Sequence, residues 1–257
     1  MLNPEIISLG PLSLRWYGLM AACGLLSTFL LAEKRAKRYG LTQQNVSDIV
    51  FWGMLAGLIG ARVLYVIRFW SEEFADRPAD IIKIYQGGLV FYGGFAGATI
   101  IILLMCWKNH WVPWRVADLL APALSLGHAF GRIGCLLNGC CYGFLYQGPL
   151  AISYSHCPGS RFPVQGLFSL CDLCICGVLL WLEKHGKCQR HLFLVYLCLY
   201  SLARFCAEYA RGDYPTEQLW HGLTPAQITC LWVLPASLLV YYAAPRLASR
   251  FAKGQNG

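Results

Sequence analysis

The sequence predicts an all-α, polytopic membrane protein, and three features predict it. Hydrophobic residues make up 57% of the 257 residues and charged residues only 13%, against about 25% charged in a soluble domain. The apolar residues gather into about seven stretches near the roughly 20 residues needed to cross a bilayer core. Lysines and arginines crowd alternate loops, as the positive-inside rule requires. The net charge of +8 follows from that asymmetry and calls for no nucleic-acid partner.

The expected spans run over residues 12–32, 46–67, 88–107, 115–137, 163–183, 191–209 and 226–245. Arg15-Trp16-Tyr17-Gly18 opens the first, with two aromatic anchors suited to the interface. Met1 to Pro11 has no basic leader region and no small-residue cleavage site, so this span is expected to be retained. Gly60-Ala-Arg62-Val-Leu-Tyr65 closes the second with a small-residue face and one cation. Gln86-Gly87-Gly88 and Tyr92-Gly93-Gly94 open the third, where glycines bracket interfacial aromatics. The fourth carries Asp118 and Pro122 and ends among glycines, so it is expected to be broken or partly buried in protein. Asp118 is expected to pair with a cation or cap a helix start. In the fifth, Cys171, Cys174 and Cys176 have metal-like spacing but sit mid-helix in an apolar run, where cysteine packs as a small hydrophobe.

The basic loops hold Lys34, Arg35, Lys37 and Arg38; Lys108 and Arg115; Lys184, Lys187 and Arg190; and Arg246, Arg250 and Lys253. The opposite loops hold Arg68, Arg77, Lys83, Arg161 and Arg211 beside Glu72, Glu73, Asp76 and Asp80. The expected orientation is therefore N-terminus outside and C-terminus cytoplasmic. The long polar loops, about 68–87, 138–162 and 210–225, would form an extracytoplasmic cap. No internal repeat breaks residues 1–257, which read as a single integral membrane domain.

Two stretches place arginine in apolar surroundings: His128-Ala-Phe-Gly-Arg132-Ile-Gly134 through Asn138, Gly139 and Gly143, and Tyr200-x3-Arg204-x3-Glu208-x2-Arg211. A guanidinium at the centre of a membrane helix costs about 2.5 kcal/mol even on lenient scales. Spacings of four and seven put Arg204, Glu208 and Arg211 on one helix face. A self-satisfied ion-pair stripe would explain them, yet one carboxylate against two guanidiniums leaves positive charge over. That surplus, with Arg132 beside it, suggests an anion site, and the abundant membrane anion is a lipid phosphate. His128, one turn before Arg132, reads first as structural. In the outer loop, Cys140 or Cys141 could form a disulfide with Cys157, with Cys135 close by; an oxidising compartment permits it.

These motifs, in this order along nearly the whole chain, resemble the prolipoprotein diacylglyceryl transferases, bacterial inner-membrane enzymes. Arg15-Trp-Tyr17-Gly is similar to the family's first-helix motif and Gly60-Ala-Arg62 to its second. Gly131-Arg132-Ile-Gly134-x3-Asn138-Gly139-x3-Gly143 is similar to its signature. Tyr200-x3-Arg204-Phe-x2-Glu208-x2-Arg211 and Gly222-Leu-Thr-Pro-Ala-Gln227 resemble the segments of its last two helices. Tyr92 stands where the family has histidine, Cys135 where it has asparagine, and Cys140 where it has a glutamate or another polar residue.

The resemblance implies transfer of an sn-1,2-diacylglyceryl group from phosphatidylglycerol to the lipobox cysteine of a preprolipoprotein signal peptide, giving a thioether. It implies Arg132, Arg204, Tyr92 and Glu208 as catalytic residues. It implies Tyr17, Arg62, Asn138, Gly143, Tyr200, Arg211 and His128 as substrate-binding, in a multi-pass protein of the bacterial inner membrane surrounded by lipid. No cofactor and no metal enters that expectation. Planar guanidinium forks suit a phosphate leaving group. The competing expectations are a relative with altered activity that merely binds lipid, and an anion or lipid transporter.

Overall fold

In the computed structural model, residues 4–9, 12–84, 87–155, 157–188, 191–214 and 219–254 are described. Gln86 and Arg190, named above, lie outside them. Seven long helices follow in order: α1 Trp16–Arg35, α2 Gln43–Arg68, α3 Phe91–Lys108, α4 Pro113–Asn138, α5 Val164–Lys184, α6 Leu192–Glu208 and α7 Pro225–Gly254. Six of these are long and apolar enough to cross a membrane. The other, α6, has 17 residues and a length of about 25 Å at 1.5 Å per residue. Large apolar side chains such as Phe95, Trp232 and Leu239 are exposed while Asp118, Gln165, Glu208 and Gln227 are buried. Buried polar groups beneath an apolar surface are what a lipid solvent selects.

One expectation about a helix end is corrected. The first helix starts at Trp16 and not at residue 12, because strands β1 (Glu5–Leu9) and β2 (Leu12–Arg15) pair antiparallel ahead of it. The alternation Leu12-Ser-Leu-Arg15 has the period of a strand. Of the two alternatives expected for the fourth helix, partial burial holds: Leu119, Ala121, Ala123 and Ala129 are buried, and the helix is continuous through Pro122. Its proline removes one backbone donor, and the rest of the ladder carries the helix on to Asn138.

Residues 32–116 form one compact unit and residues 1–31 with 117–257 another. In the first, Thr42 and Asn45 make a reciprocal capping box at the start of α2. There α2 and α3 pack through glycines: a Cβ on Gly60 would strike Gly93 and Gly97. Small residues allow such close backbone approach between membrane helices.

In the second unit, Thr28 Oγ1 donates to the Ala123 carbonyl (3.0 Å), joining α1 to α4. Ser125 Oγ and Ser169 Oγ donate to the carbonyls of Asp172 (2.7 Å) and Ala129 (3.0 Å), joining α4 to α5. Asp118 Oδ1 accepts from Phe193 N at 2.7 Å, so a carboxylate of α4 caps the start of α6. That is the helix-capping role expected of it, acting between helices. Thr224 and Gln227 exchange hydrogen bonds of 3.0 and 3.2 Å at the start of α7, a capping box with proline in the first turn. Ile175, Leu179, Leu192 and Tyr196 form the apolar core below the site.

A guanidinium cluster as candidate active site

The α6 helix delivers the first half of the site. Glu208, with a fully buried side chain, takes Arg204 Nη2 on one oxygen (3.0 Å) and Arg211 Nη1 on the other (3.2 Å). Thr224 Oγ1 donates to that second oxygen at 3.2 Å, tying the cap of α7 to the cluster. The expected helix-face stripe is therefore present. The expected charge count is corrected, because Asp213 adds a carboxylate: it binds Arg211 Nε at 2.6 Å and Nη2 at 3.0 Å. Arg211 is thus doubly neutralised. Burial works against its charge, but the Asp213 hydrogen bonds, Cys141 and Glu208 together raise its affinity for its proton.

The guanidinium left without an ion pair is Arg132, and Arg204 beside it is held by Glu208 at one end only. Their guanidiniums sit 4.8 and 4.5 Å from the centre of the same ring, Phe168 of α5. Arg204 Nη1 is buried with no hydrogen-bond partner. Arg132 hydrogen-bonds the Tyr200 side chain and has no carboxylate in ion-pair range among the described residues. Asp172, one turn beyond Phe168, is buried and interacts electrostatically with both arginines, but no ion pair joins them. His128 lies behind Tyr200, with ring centres 5.5 Å apart, and its Nδ1 shares a 3.1 Å hydrogen bond with the Tyr196 hydroxyl. It supports the aromatic wall of the site.

The end of α4 supplies the second half. Gly139 N bonds Leu136 O (3.3 Å) and Cys140 N bonds Cys135 O (3.1 Å), a Schellman motif. Gly139 has φ +74°, the left-handed conformation that favours glycine. The reversal brings the thiols of Cys135, Cys140 and Cys141 within 4.8 Å of one another. Tyr17, packed against Gly134, interacts electrostatically with all three and with Arg132, and Asn138 hydrogen-bonds Cys140. Hydrogen bonds from Cys135 and Cys140, then the fields of Arg211 and Arg132, hold the Cys141 thiol below its ordinary range. All thirteen thiols are free. The expected pairing with Cys157 is therefore absent: Cys157 is buried, with its thiol turned to the Pro158 carbonyl, while Cys140 and Cys141 face Cys135.

Beyond the cysteines the chain is threaded between two neighbours. Gly143 N donates to Phe162 O (3.1 Å) and Phe144 N to Ala210 O (3.2 Å). A Cβ on Gly143 would lie 2.6 Å from Phe162 O and 2.8 Å from Ala210 O. Gly143 therefore positions the loop beside Arg211 by allowing close packing. Gln165 Nε2 holds the Cys140 carbonyl at 2.8 Å.

Two expected site residues belong to the unit of residues 32–116. Arg62 donates to the carbonyls of Ile81 (2.8 Å), Asp80 (2.8 Å), Gly87 (2.9 Å) and Gly88 (3.1 Å). Four of its five donors thereby clamp the loop into α3. Tyr92 is exposed, stacked edge-on with Phe91.

A family profile described as prolipoprotein diacylglyceryl transferase matches residues 4–243. The chain belongs to that family. It is 33% identical over 258 residues to the phosphatidylglycerol–prolipoprotein diacylglyceryl transferase of Staphylococcus carnosus, covering 94% of this chain and 90% of the relative. It is 31% identical over 217 residues to the protein of that name from Clostridium tetani, covering 82% and 86%. It is 32% identical over 225 residues to that of Lactobacillus delbrueckii, covering 82% and 80%. Within this family member, Phe168, Asp172 and Asp213 are the site neighbours that the sequence motifs did not single out, whereas Thr224 falls in the Gly222–Gln227 motif. Only the Thr224-Pro-Ala-Gln227 capping pattern carried a local signal. The others meet the cluster through tertiary packing.

Proposed function

We propose that this chain transfers the diacylglyceryl group of phosphatidylglycerol to the lipobox cysteine of preprolipoprotein signal peptides. It would do so as one multi-pass domain of the bacterial inner membrane, with the arginine cluster toward the outer face. The observation that carries this reading is the pair of open guanidiniums on Phe168: Arg204 with an orphaned buried donor and Arg132 without an acidic partner. A buried donor left unmade costs about 1–3 kcal/mol, and a lipid phosphate would satisfy both. The incoming sulfur attacks the glyceryl carbon that bears the phosphodiester. The C–S bond forms, the C–O bond breaks, and its electron pair leaves on glycerol phosphate.

Donors already aimed at the phosphate stabilise that departing charge in a low-dielectric site. Glu208 positions Arg204 and Arg211, and Thr224 positions Glu208. Tyr17, Asn138 and Tyr200 line the substrate region, His128 backs Tyr200, and Gly143 sets the loop beside it, while Arg62 serves its own unit by clamping the loop into α3. Tyr92, in place of the family's histidine, orients substrate.

The test is complementation of a transferase-depleted bacterium, read out as lipoprotein lipidation. Rescue by the wild-type chain and failure of Arg132→Ala, at equal membrane levels, is the expected result. Failure of the wild-type chain despite normal insertion would favour a relative that only binds lipid.

A further inference from the structure

Two thiols of a three-thiol cluster, Cys135 and Cys140, stand where the family pattern has an asparagine and a glutamate or another polar residue; Cys141 is the third. Cys135 belongs to the last turn of α4, and the Gly139 reversal lays Cys140 over it. Cys141 then adopts φ +57°, a left-handed conformation that costs a non-glycine residue about 1–2 kcal/mol. Such strain persists where surrounding structure over-determines it, and it clusters at functional sites. Its result is three convergent sulfurs, mutually within 4.8 Å and each partly accessible. A tetrahedral zinc with Zn–S bonds of about 2.3 Å places its sulfurs about 3.8 Å apart. The cluster therefore needs a contraction of about 1 Å at most to close on one ion. Three protein ligands with an open fourth position describe a catalytic zinc site.

We propose that Cys135, Cys140 and Cys141 bind a zinc ion whose fourth position receives the lipobox thiol and presents it as a thiolate for alkylation. This rests on the transferase reading, and it supplies that reading with a means of activating the nucleophile. The step balances. The substrate thiol binds zinc as thiolate and its proton passes to solvent. The sulfur forms a C–S bond to the glyceryl carbon, and the C–O bond breaks toward phosphate. The thioether product, a weaker ligand, leaves the three-sulfur site. Zinc with three thiolates carries one net negative charge, and the guanidiniums of Arg211 and Arg132, which interact electrostatically with Cys141, offset it. Thiolates form a soft-metal ligand set suited to holding sulfur.

The experiment uses the full chain in detergent, purified without a metal-affinity tag. One zinc per chain by elemental analysis, with three sulfurs at about 2.3 Å by X-ray absorption, is expected. Cobalt substituted for the zinc should change its visible bands when a lipobox peptide is added, and should not with the peptide's cysteine changed to serine. Cys140→Ser should weaken zinc binding at least tenfold, and the triple serine variant should retain none. The single variant serves if the triple variant fails to fold. No metal after zinc loading and dialysis, metal retained in the triple variant, or a disulfide among these residues in anaerobically prepared protein would overturn the proposal. Full transfer by zinc-free protein would also overturn it while leaving the transferase reading intact. Zinc bound through these sulfurs with no transfer at any loading would keep the site and refute the transferase reading.

Discussion

Arg204 divides its guanidinium between two duties. Nη2 is held by Glu208 at 3.0 Å, and Nη1 is buried with no partner. The planar fork makes this division possible, since one end can be fixed while the other stays open. Arg204→Ala should lower transfer from phosphatidylglycerol to a lipobox peptide by at least about 100-fold, the usual loss on deleting an oriented transition-state donor. The variant should still insert in the membrane, and wild-type turnover would refute the role. Glu208 differs in kind. Its buried carboxylate serves Arg204, Arg211 and Thr224 at once, so Glu208→Gln should destabilise the protein by about 3–5 kcal/mol. Thermal unfolding in detergent checks this. Tyr92→Phe should keep substantial activity if the side chain only orients substrate, whereas complete loss would point to proton transfer through the hydroxyl.

At the scale of elements, the site depends on helix ends brought together by glycine. The strand-like crossing at Gly143 has no room for a Cβ, with Phe162 O 2.6 Å from its position. Gly143→Ala should therefore displace the loop beside Arg211 and lower both the melting temperature and activity. Gly177→Ala, mid-helix in α5 with nothing within 4 Å of the added carbon, should leave both unchanged. Parallel melting curves and turnover assays decide it.

How much of this the sequence disclosed follows from which contacts are local. Spacings of four and seven announced the Arg204, Glu208 and Arg211 stripe because helix geometry fixes it. The Thr224-Pro-Ala-Gln227 cap was likewise legible in four residues. Phe168, which joins the two open guanidiniums, lies on a different helix from either and gave no local sign. Asp213 sits beyond the helix end, where no periodicity applies. The thiol cluster was hidden differently: Cys171, Cys174 and Cys176 had the metal-like spacing, whereas Cys135, Cys140 and Cys141 converge only through a left-handed reversal. The first helix start was misplaced because the four alternating residues Leu12-Ser-Leu-Arg15, joined directly to a long apolar run, read as its extension.

For the whole molecule, apolar residues outside and charged residues inside make one statement. The exposed Phe95, Trp232 and Leu239 suit a hydrocarbon solvent, and the buried Glu208, Asp118 and Gln227 find partners within the protein, as a bilayer requires. The loop charges predict a cytoplasmic C-terminus. A C-terminal fluorescent-protein fusion should fluoresce, and a C-terminal alkaline phosphatase fusion should be inactive; the reverse pattern would overturn the orientation.

The central claim is that Arg132 and Arg204 jointly grip a phospholipid phosphate, and native mass spectrometry of lipid binding tests it most directly. The wild-type protein should retain phosphatidylglycerol in preference to diacylglycerol, and folded Arg132→Ala should lose that preference. Equal retention of phosphatidylglycerol by the two proteins would contradict the account.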